Sequence, residues 1–274
     1  MSLSKKISTS FFRPILAKNK KFSNLHKNET CYIIGNGGSL KNMNLESFSD
    51  HITIGINHLC LHNDFHKLNV KYYVLVESFF LYPYCKNPYT KKYQSNILGK
   101  LFKKSFPKDS EINLFVSLTN LFGSKFKNMH YLYHFGYRNP DIKFQDPSGI
   151  FSFMSGGLYA ALGLAISLGF KKAILVGCDY TFSPVSSGHF YAFGPPKRSE
   201  RDYNNYQDLF EVSTEIIDLS VITDFGKSNS LPFQTYEEFT GKSLKYQENN
   251  ELIKKEYLEM LRRAVSMEQY GSKI

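Results

Sequence analysis

Four groups of residues in the 274-residue chain carry chemistry-bearing types at usable spacing. Gly35-Asn36-Gly37-Gly38-Ser39-Leu40 directly follows the apolar run Cys31-Tyr32-Ile33-Ile34. Glycines there let the backbone approach a phosphate or sugar, and N–H groups of the following element can bind an anion. Residue 40 is Leu, so this is not G-x-G-x-x-G, and it lacks the Gly-Lys-Ser/Thr of a Walker loop. An ordinary tight βα turn uses the same residues. Asn57 and His58 follow the run Ile52–Ile56; an Asn there offers a donor and an acceptor to a base or ribose, or simply closes an Asx turn. Ser155-Gly156-Gly157 opens a helical run, and its hydroxyl, amides and positive helix end suit a phosphate as well as they suit a plain N-cap. Last, Gly177-Cys178-Asp179-Tyr180 is followed by His189-Phe190-Tyr191 in a loop rich in Ser, Gly and Tyr. An acid at a strand end, an imidazole that is largely a free base at neutral pH, and a phenol resemble the edge of an active site, though a lone His serves a structural role as readily.

The rest of the chain removes several classes of chemistry. There is no Asp-x-Asp pair, so a diphosphate-bound cation is not expected, and no Gly-x-Ser-x-Gly or His-Glu-x-x-His. Cys31, Cys60, Cys85 and Cys178 are scattered without a C-x-x-C, which argues against a zinc site or a disulfide framework. No metal and no resident cofactor are expected. Net charge is +10, which suits an anionic partner such as a nucleotide or an acidic glycan. The basic residues follow no nucleic-acid-binding signature, so nucleic acid is not the expected partner. No apolar run approaches the roughly 18 residues of a membrane-spanning helix, and no secretory signal is evident. The expectation is a cytoplasmic protein, peripheral at most to the inner membrane.

Apolar runs at 31–35, 52–56, 72–76, 112–116, 173–177 and 219–223 predict buried strands. Leu158, Leu162, Ala165 and Ile166 fall at helical spacing, with Ser155 as the expected cap and Gly169 as the stop. Helix, glycine, basic pair and apolar strand make half of a βαβ unit, hence a parallel sheet with helices on both faces. The expected fold is α/β and Rossmann-like, mostly parallel, with a lid-like insertion at about 181–210. Residues 1–28 hold seven cations and no acid, and read as a basic arm, solvated or touching anionic lipid. A domain over 29–247 follows, then an amphipathic C-terminal helix within 248–274, its stripe formed by Leu252, Ile253, Tyr257, Met260, Leu261, Ala264 and Val265.

In order and approximate spacing over residues 30–195, these pieces resemble the bacterial lipooligosaccharide sialyltransferases of glycosyltransferase family 42. The carrying residues are Gly35 to Leu40, Asn57, Ser155-Gly156 before an Ala-rich helix, Ile174-Leu-Val-Gly177-Cys-Asp179-Tyr180 and Tyr191-Ala192-Phe193. The resemblance implies a metal-independent, inverting transferase that moves a nonulosonic acid, sialic-acid-like, from a CMP-sugar donor to a surface glycan. It implies that Asn36 and Ser39 meet the ribose–phosphate part and Asn57 the nucleotide or its sugar. Ser155 and Gly156 would hold the donor carboxylate or phosphate, and Tyr191 would donate to the leaving phosphate. The family's base is a His beyond the Tyr-Ala-Phe; no His follows His189 here, so either His189 takes the role or the acceptor chemistry differs. The chain also resembles the motility accessory factor and pterin pyrophosphokinase-like proteins, in which a Gly-x-Asp strand end is followed about ten residues later by His. A pyrophosphokinase-like enzyme and a non-catalytic nucleotide- or glycan-binding module of polysaccharide assembly are therefore the alternatives. A homo-oligomer is compatible with each.

Overall fold

The computed structural model describes residues 11–77, 81, 95–134, 139–200 and 206–266. Cys85, the start of the basic arm, part of the lid and the end of the C-terminal segment lie outside the described residues. Eight strands form one sheet in the order β10-β9-β6-β1-β2-β3-β4-β5. In chain order these are β1 Thr30–Ile34, β2 Ile52–Ile56, β3 Val70–Leu75, β4 Asn113–Ser117, β5 Met129–Leu132, β6 Lys172–Val176, β9 Asp218–Thr223 and β10 Phe233–Thr235. Every pairing in it is parallel. The six expected strands are all present, shifted by at most two residues at either end. The remaining pair, β7 Val185–Ser187 and β8 Lys197–Ser199, makes a separate antiparallel hairpin inside the expected lid.

Parallel strands buried on both faces read as unbroken apolar runs. All five residues of β2 are buried, and β1 is buried from Cys31 to Ile34. One face packs under the helix Gly157–Leu168, with Phe22, Phe151, Phe153 and Phe210. The other packs under the helices Ser95–Ser105 and Lys255–Ser266, with Leu40, Phe48, Tyr73 and Tyr236. Helices therefore cover both faces, as expected.

The sheet grows outward from β1 to β5, then the chain returns through the helix Gly157–Leu168 and lays β6 on the opposite side of β1. That reversal is a topological switch point, where open α/β sheets leave a crevice beyond the strand carboxyl ends. The turns after β1 and β6 thus face each other, as the sequence groups require.

Two local expectations need correction. The N-cap of the long helix is Gly156, with Ser155 one residue outside it, so no serine side chain caps that helix. The C-terminal helix is broken: Asn249–Leu252 and Lys255–Ser266 are separated by extended Ile253, which pairs with His62. Ile253 is fully buried, and its place in that bridge outweighs helix continuity. Within the basic arm Leu16, Asn19 and Phe22 are buried, while Lys18, Lys20 and Lys21 are exposed. Asn19 donates from Nδ2 to the Tyr131 and Pro147 carbonyls at 2.8 Å each, and Phe22 enters the core between Tyr72 and Phe115. The Gly169 stop forms as expected, in the left-handed region at φ 86°.

Gly163 sits inside the long helix, where Ala ordinarily stabilises by about 1 kcal/mol. A Cβ there would lie 2.5 Å from the Phe153 ring and 2.9 Å from Phe151. Overpacking of this kind costs about 1–3 kcal/mol. Gly163→Ala is therefore expected to lower the thermal midpoint despite its gain in helix propensity, as read by a calorimetric melt.

Candidate functional site

The crevice is built from the turn after β1. Gly35 N–H donates to the Val176 carbonyl and Gly37 N–H to the Gly177 carbonyl, both at 2.8 Å, so the turn is laid directly on the end of β6. The chain then winds into a short 3-10 turn, Gly38–Asn42, rather than an α-helix. Inside it, the Ser39 N–H donates to Asp179 Oδ2 at 2.8 Å and the Ser39 hydroxyl donates to Oδ1 at 2.5 Å. A Cβ on Gly37 would fall 2.3 Å from that carboxylate, so only glycine leaves room for the clasp.

Asp179 is 2% exposed and Ser39 fully buried. Burial pushes the Asp179 carboxyl up to about 7, with the Ser39 hydrogen bonds opposing and the nearby Asp224 adding to the rise. Both residues face inward. Asp179, expected to be catalytic, and Ser39, expected to contact the donor, are bonded to each other and hold the turn together.

Asn36 is buried beside the next loop. Its Oδ1 accepts from the His58 N–H at 3.2 Å, and its carbonyl accepts from the Phe190 N–H at 3.0 Å. Asn57 adopts φ 51°, a left-handed conformation that Asn tolerates better than most residues. Its carbonyl accepts from the Tyr73 hydroxyl at 2.9 Å. Its side-chain Oδ1 is buried without any hydrogen-bond partner. An orphaned acceptor costs about 1–3 kcal/mol, which a ligand N–H or O–H would recover. Gly157 stands against this side chain, where a Cβ would lie 3.4 Å from Asn57 Nδ2 and clash with Ile56. Asn36, Asn57 and the Gly156–Gly157 helix start therefore line one region. Ser155 is exposed at its rim.

The hairpin β7–β8 brings the remaining groups. Its tip pairs with the glycine turn through an antiparallel bridge between Gly37 and His189. Phe190 is fully buried and anchors the tip. The His189 and Tyr191 rings stack, with centroids 4.9 Å apart and planes at 22°, and His58 meets Tyr191 edge-on at 5.4 Å. His189 faces solvent, yet the dense protein around it holds its imidazole below the usual range by desolvation, with the Asn36 backbone opposing. Such an imidazole is a free base at neutral pH. His58 is buried, its pKa lowered by desolvation to about 4, and its Nε2–H donates to the Leu98 carbonyl at 3.2 Å.

Lys41, not singled out in the sequence, ties the hairpin down. Its buried ammonium donates to the Ala192 and Gly194 carbonyls at 2.7 and 2.6 Å and to Asn249 Oδ1 at 3.0 Å. Three acceptors satisfy its three donors. Asn249 in turn donates from Nδ2 to the Tyr191 carbonyl at 3.1 Å. A single lysine after an Ser-Leu pair gave no signal of this, because its partners lie 151 to 208 residues away. Among the described residues, no group of three or more His, Cys, Asp or Glu could hold a metal ion. No described helix is long and apolar enough to cross a membrane.

No family model matches the chain, and no curated protein matches it. Among solved structures it is similar to a MAf glycosyltransferase from Magnetospirillum magneticum AMB-1, at 12% identity and a TM-score of 0.48. That match covers 94% of this chain but 41% of the other, so the chain spans about two fifths of that protein. It is also similar to the sialyltransferase CstII from Campylobacter jejuni in complex with CMP-3FNeuAc, at 14% identity and a TM-score of 0.43 over 86% of this chain and 99% of that one. The CstII complex with cytidine-5'-monophosphate gives 15% identity and a TM-score of 0.44, covering 87% and 99%. At such identities the likeness concerns the chain path, not the chemistry of the crevice.

Asp179→Ala would orphan two buried donors of Ser39, at about 1–3 kcal/mol each. The expected result is a lower thermal midpoint and a loosened turn. Asp179→Asn can keep both contacts if the Ser39 hydroxyl reverses. The Asp179 pKa is raised on folding, so its contribution to stability is full below its unfolded value near 3.9 and is lost as pH rises through about 7. Between about pH 4 and 7, the midpoint of Asp179→Asn should therefore decline less than that of the parent protein.

Proposed function

We propose that the chain is a glycosyltransferase that moves a nonulosonic acid from a CMP donor to a hydroxyl of a surface glycan. The observation that carries this reading is the stacked His189–Tyr191 pair, held over the glycine turn at the β1–β6 switch point beside the unpaired Asn57 acceptor. Asn57 Oδ1 would accept from a nucleoside N–H or O–H, and the amides at Gly156 and Gly157 would meet the donor's anionic groups. His189 would take the proton of the acceptor hydroxyl as that oxygen attacks the anomeric carbon, with inversion. Tyr191 would donate to the departing phosphate oxygen, so that its charge is met by hydrogen bonds rather than by a cation. Asp179 and Asp224 are buried and committed to protein partners, which leaves them unsuited to carrying a metal to this donor.

A thermal-shift panel of CMP, CDP, UDP, GDP and ATP tests the donor, since a ligand at 100 Kd adds about 2.7 kcal/mol of stability. CMP is expected to give the largest shift, and a shift with ATP alone would overturn the reading. Cleavage of a CMP-linked nonulosonic acid is expected to survive EDTA; loss restored by Mg²⁺ would reject the metal-free mechanism.

His189→Ala is expected to lower kcat by about 10²-fold or more with little change in CMP affinity, as loss of a general base requires. Tyr191→Phe should cost about tenfold through one hydrogen bond to a charged oxygen. Because desolvation lowers the His189 pKa, the base form persists to lower pH, and the acidic limb of kcat/KM should fall below the ordinary imidazole value of about 6.5. A limb at or above that value would remove His189 from the role.

A further inference from the structure

One edge of the sheet is β5, and residues 11–22 pack beside it. Asn19 fastens this segment to the Tyr131 carbonyl, and Phe12 packs against Tyr133 with ring centroids 5.8 Å apart. The loop after β4 joins the same surface: Leu118, like Phe12 and Tyr131, packs against the buried cluster of Leu16, Tyr133 and Ile150, while Lys125 donates to the Tyr131 hydroxyl at 2.6 Å. Two phenyl rings project from this region into solvent, Phe11 at 77% and Phe122 at 84% exposure. Arg13, Lys18, Lys20 and Lys21 on the segment of Phe11, and Lys125 three residues after Phe122, are all exposed. Residues 11–28 and 118–134 contain no Asp or Glu. Asp146, next to the Pro147 carbonyl that Asn19 holds, spends its oxygens on the Ser148 N–H and hydroxyl at 2.7 Å each.

We infer that this β5-edge surface docks on an anionic lipid bilayer. Largely exposed rings gain by entering the boundary between headgroups and acyl chains, and the cations gain from the negative surface potential. A bilayer interface accepts both features at once. A nucleic acid would engage the cations and leave the rings in water unless they stacked. Tyr133 and Leu118 lie just beyond the carboxyl ends of β5 and β4, so the surface includes the end of the sheet on which the crevice opens. The inference stands on charge and exposure, independently of the transferase reading.

The test is co-sedimentation of the full chain with vesicles of phosphatidylglycerol and phosphatidylethanolamine, against vesicles of phosphatidylcholine, with labelled single-stranded DNA as competitor. Binding to the anionic vesicles is expected to weaken as salt rises. Phe11→Ala with Phe122→Ala, both at exposed positions, should weaken it about tenfold or more, and Lys18→Glu with Lys20→Glu should weaken it at least as much. Unchanged thermal midpoints of the variants show that the fold is kept. Binding to anionic vesicles that the phenylalanine variant leaves intact would overturn the inference, as would no vesicle binding at low salt, or DNA that displaces the vesicles.

Discussion

The Ser39–Asp179 clasp is the contact on which the site depends. It joins two turns 140 residues apart, at the one place where the sheet reverses direction. Ser39 gives two donors and Asp179 two acceptors, and neither residue reaches solvent. With the turn after β1 fixed on the end of β6, its outer backbone becomes a template. The hairpin tip pairs with it at Gly37 and Asn36, which sets the His189–Tyr191 stack. Lys41 then fastens the far side of the same hairpin to the C-terminal segment through Asn249. The expected lid is thus anchored on two sides over its described residues.

The polar groups around the crevice divide by burial. Asp179, Asp224, Ser39 and Lys41 are buried and bonded within the protein, and their energetic role is to replace lost hydration with fixed partners. Asn57 is the exception, with a buried oxygen left unpaired at the mouth of the sheet. Buried unpaired polar groups are uncommon in folded proteins, and a ligand is a physical reason to retain one. The short 3-10 turn after Gly37 also matters. In many α/β folds a long helix starts there and lends its positive end to an anion. Here the helix that begins at Gly157 is the one positioned to do so.

Much of the fold was legible because parallel strands buried on both faces leave apolar runs that nothing else in the chain imitates. β5 escaped because Met129-His130-Tyr131-Leu132 is short, polar at one position and only half buried. β10 escaped for a similar reason, as Phe233-Gln234-Thr235 is mostly exposed. The break at Ile253 could not be read, since it depends on a pairing with His62. At the site, glycine spacing and the positions of Asn57, His189 and Tyr191 were visible as motif residues. The bond between Asp179 and Ser39 was not legible, because the two residues are 140 positions apart. Lys41 carried no local pattern at all, because its partners are assembled only in three dimensions.

The reversal at β1 also governs the order in which the protein can be made. Strand β1 is translated before its neighbour β6, which follows only after some 140 further residues, and β9 and β10 come later still. Until then, one side of β1 is an open ladder of hydrogen-bonding groups flanked by apolar side chains, the kind of edge that invites intermolecular pairing. The half-sheet from β1 to β5 can assemble first on the emerging chain, because its pairings follow sequence order. The crevice cannot, since its two walls come from opposite ends of that interval. A nascent or truncated chain ending before residue 172 would hold the glycine turn without the strand end that shapes it. The walls of the crevice therefore come together late, with the insertion of β6 and then of the hairpin that follows it.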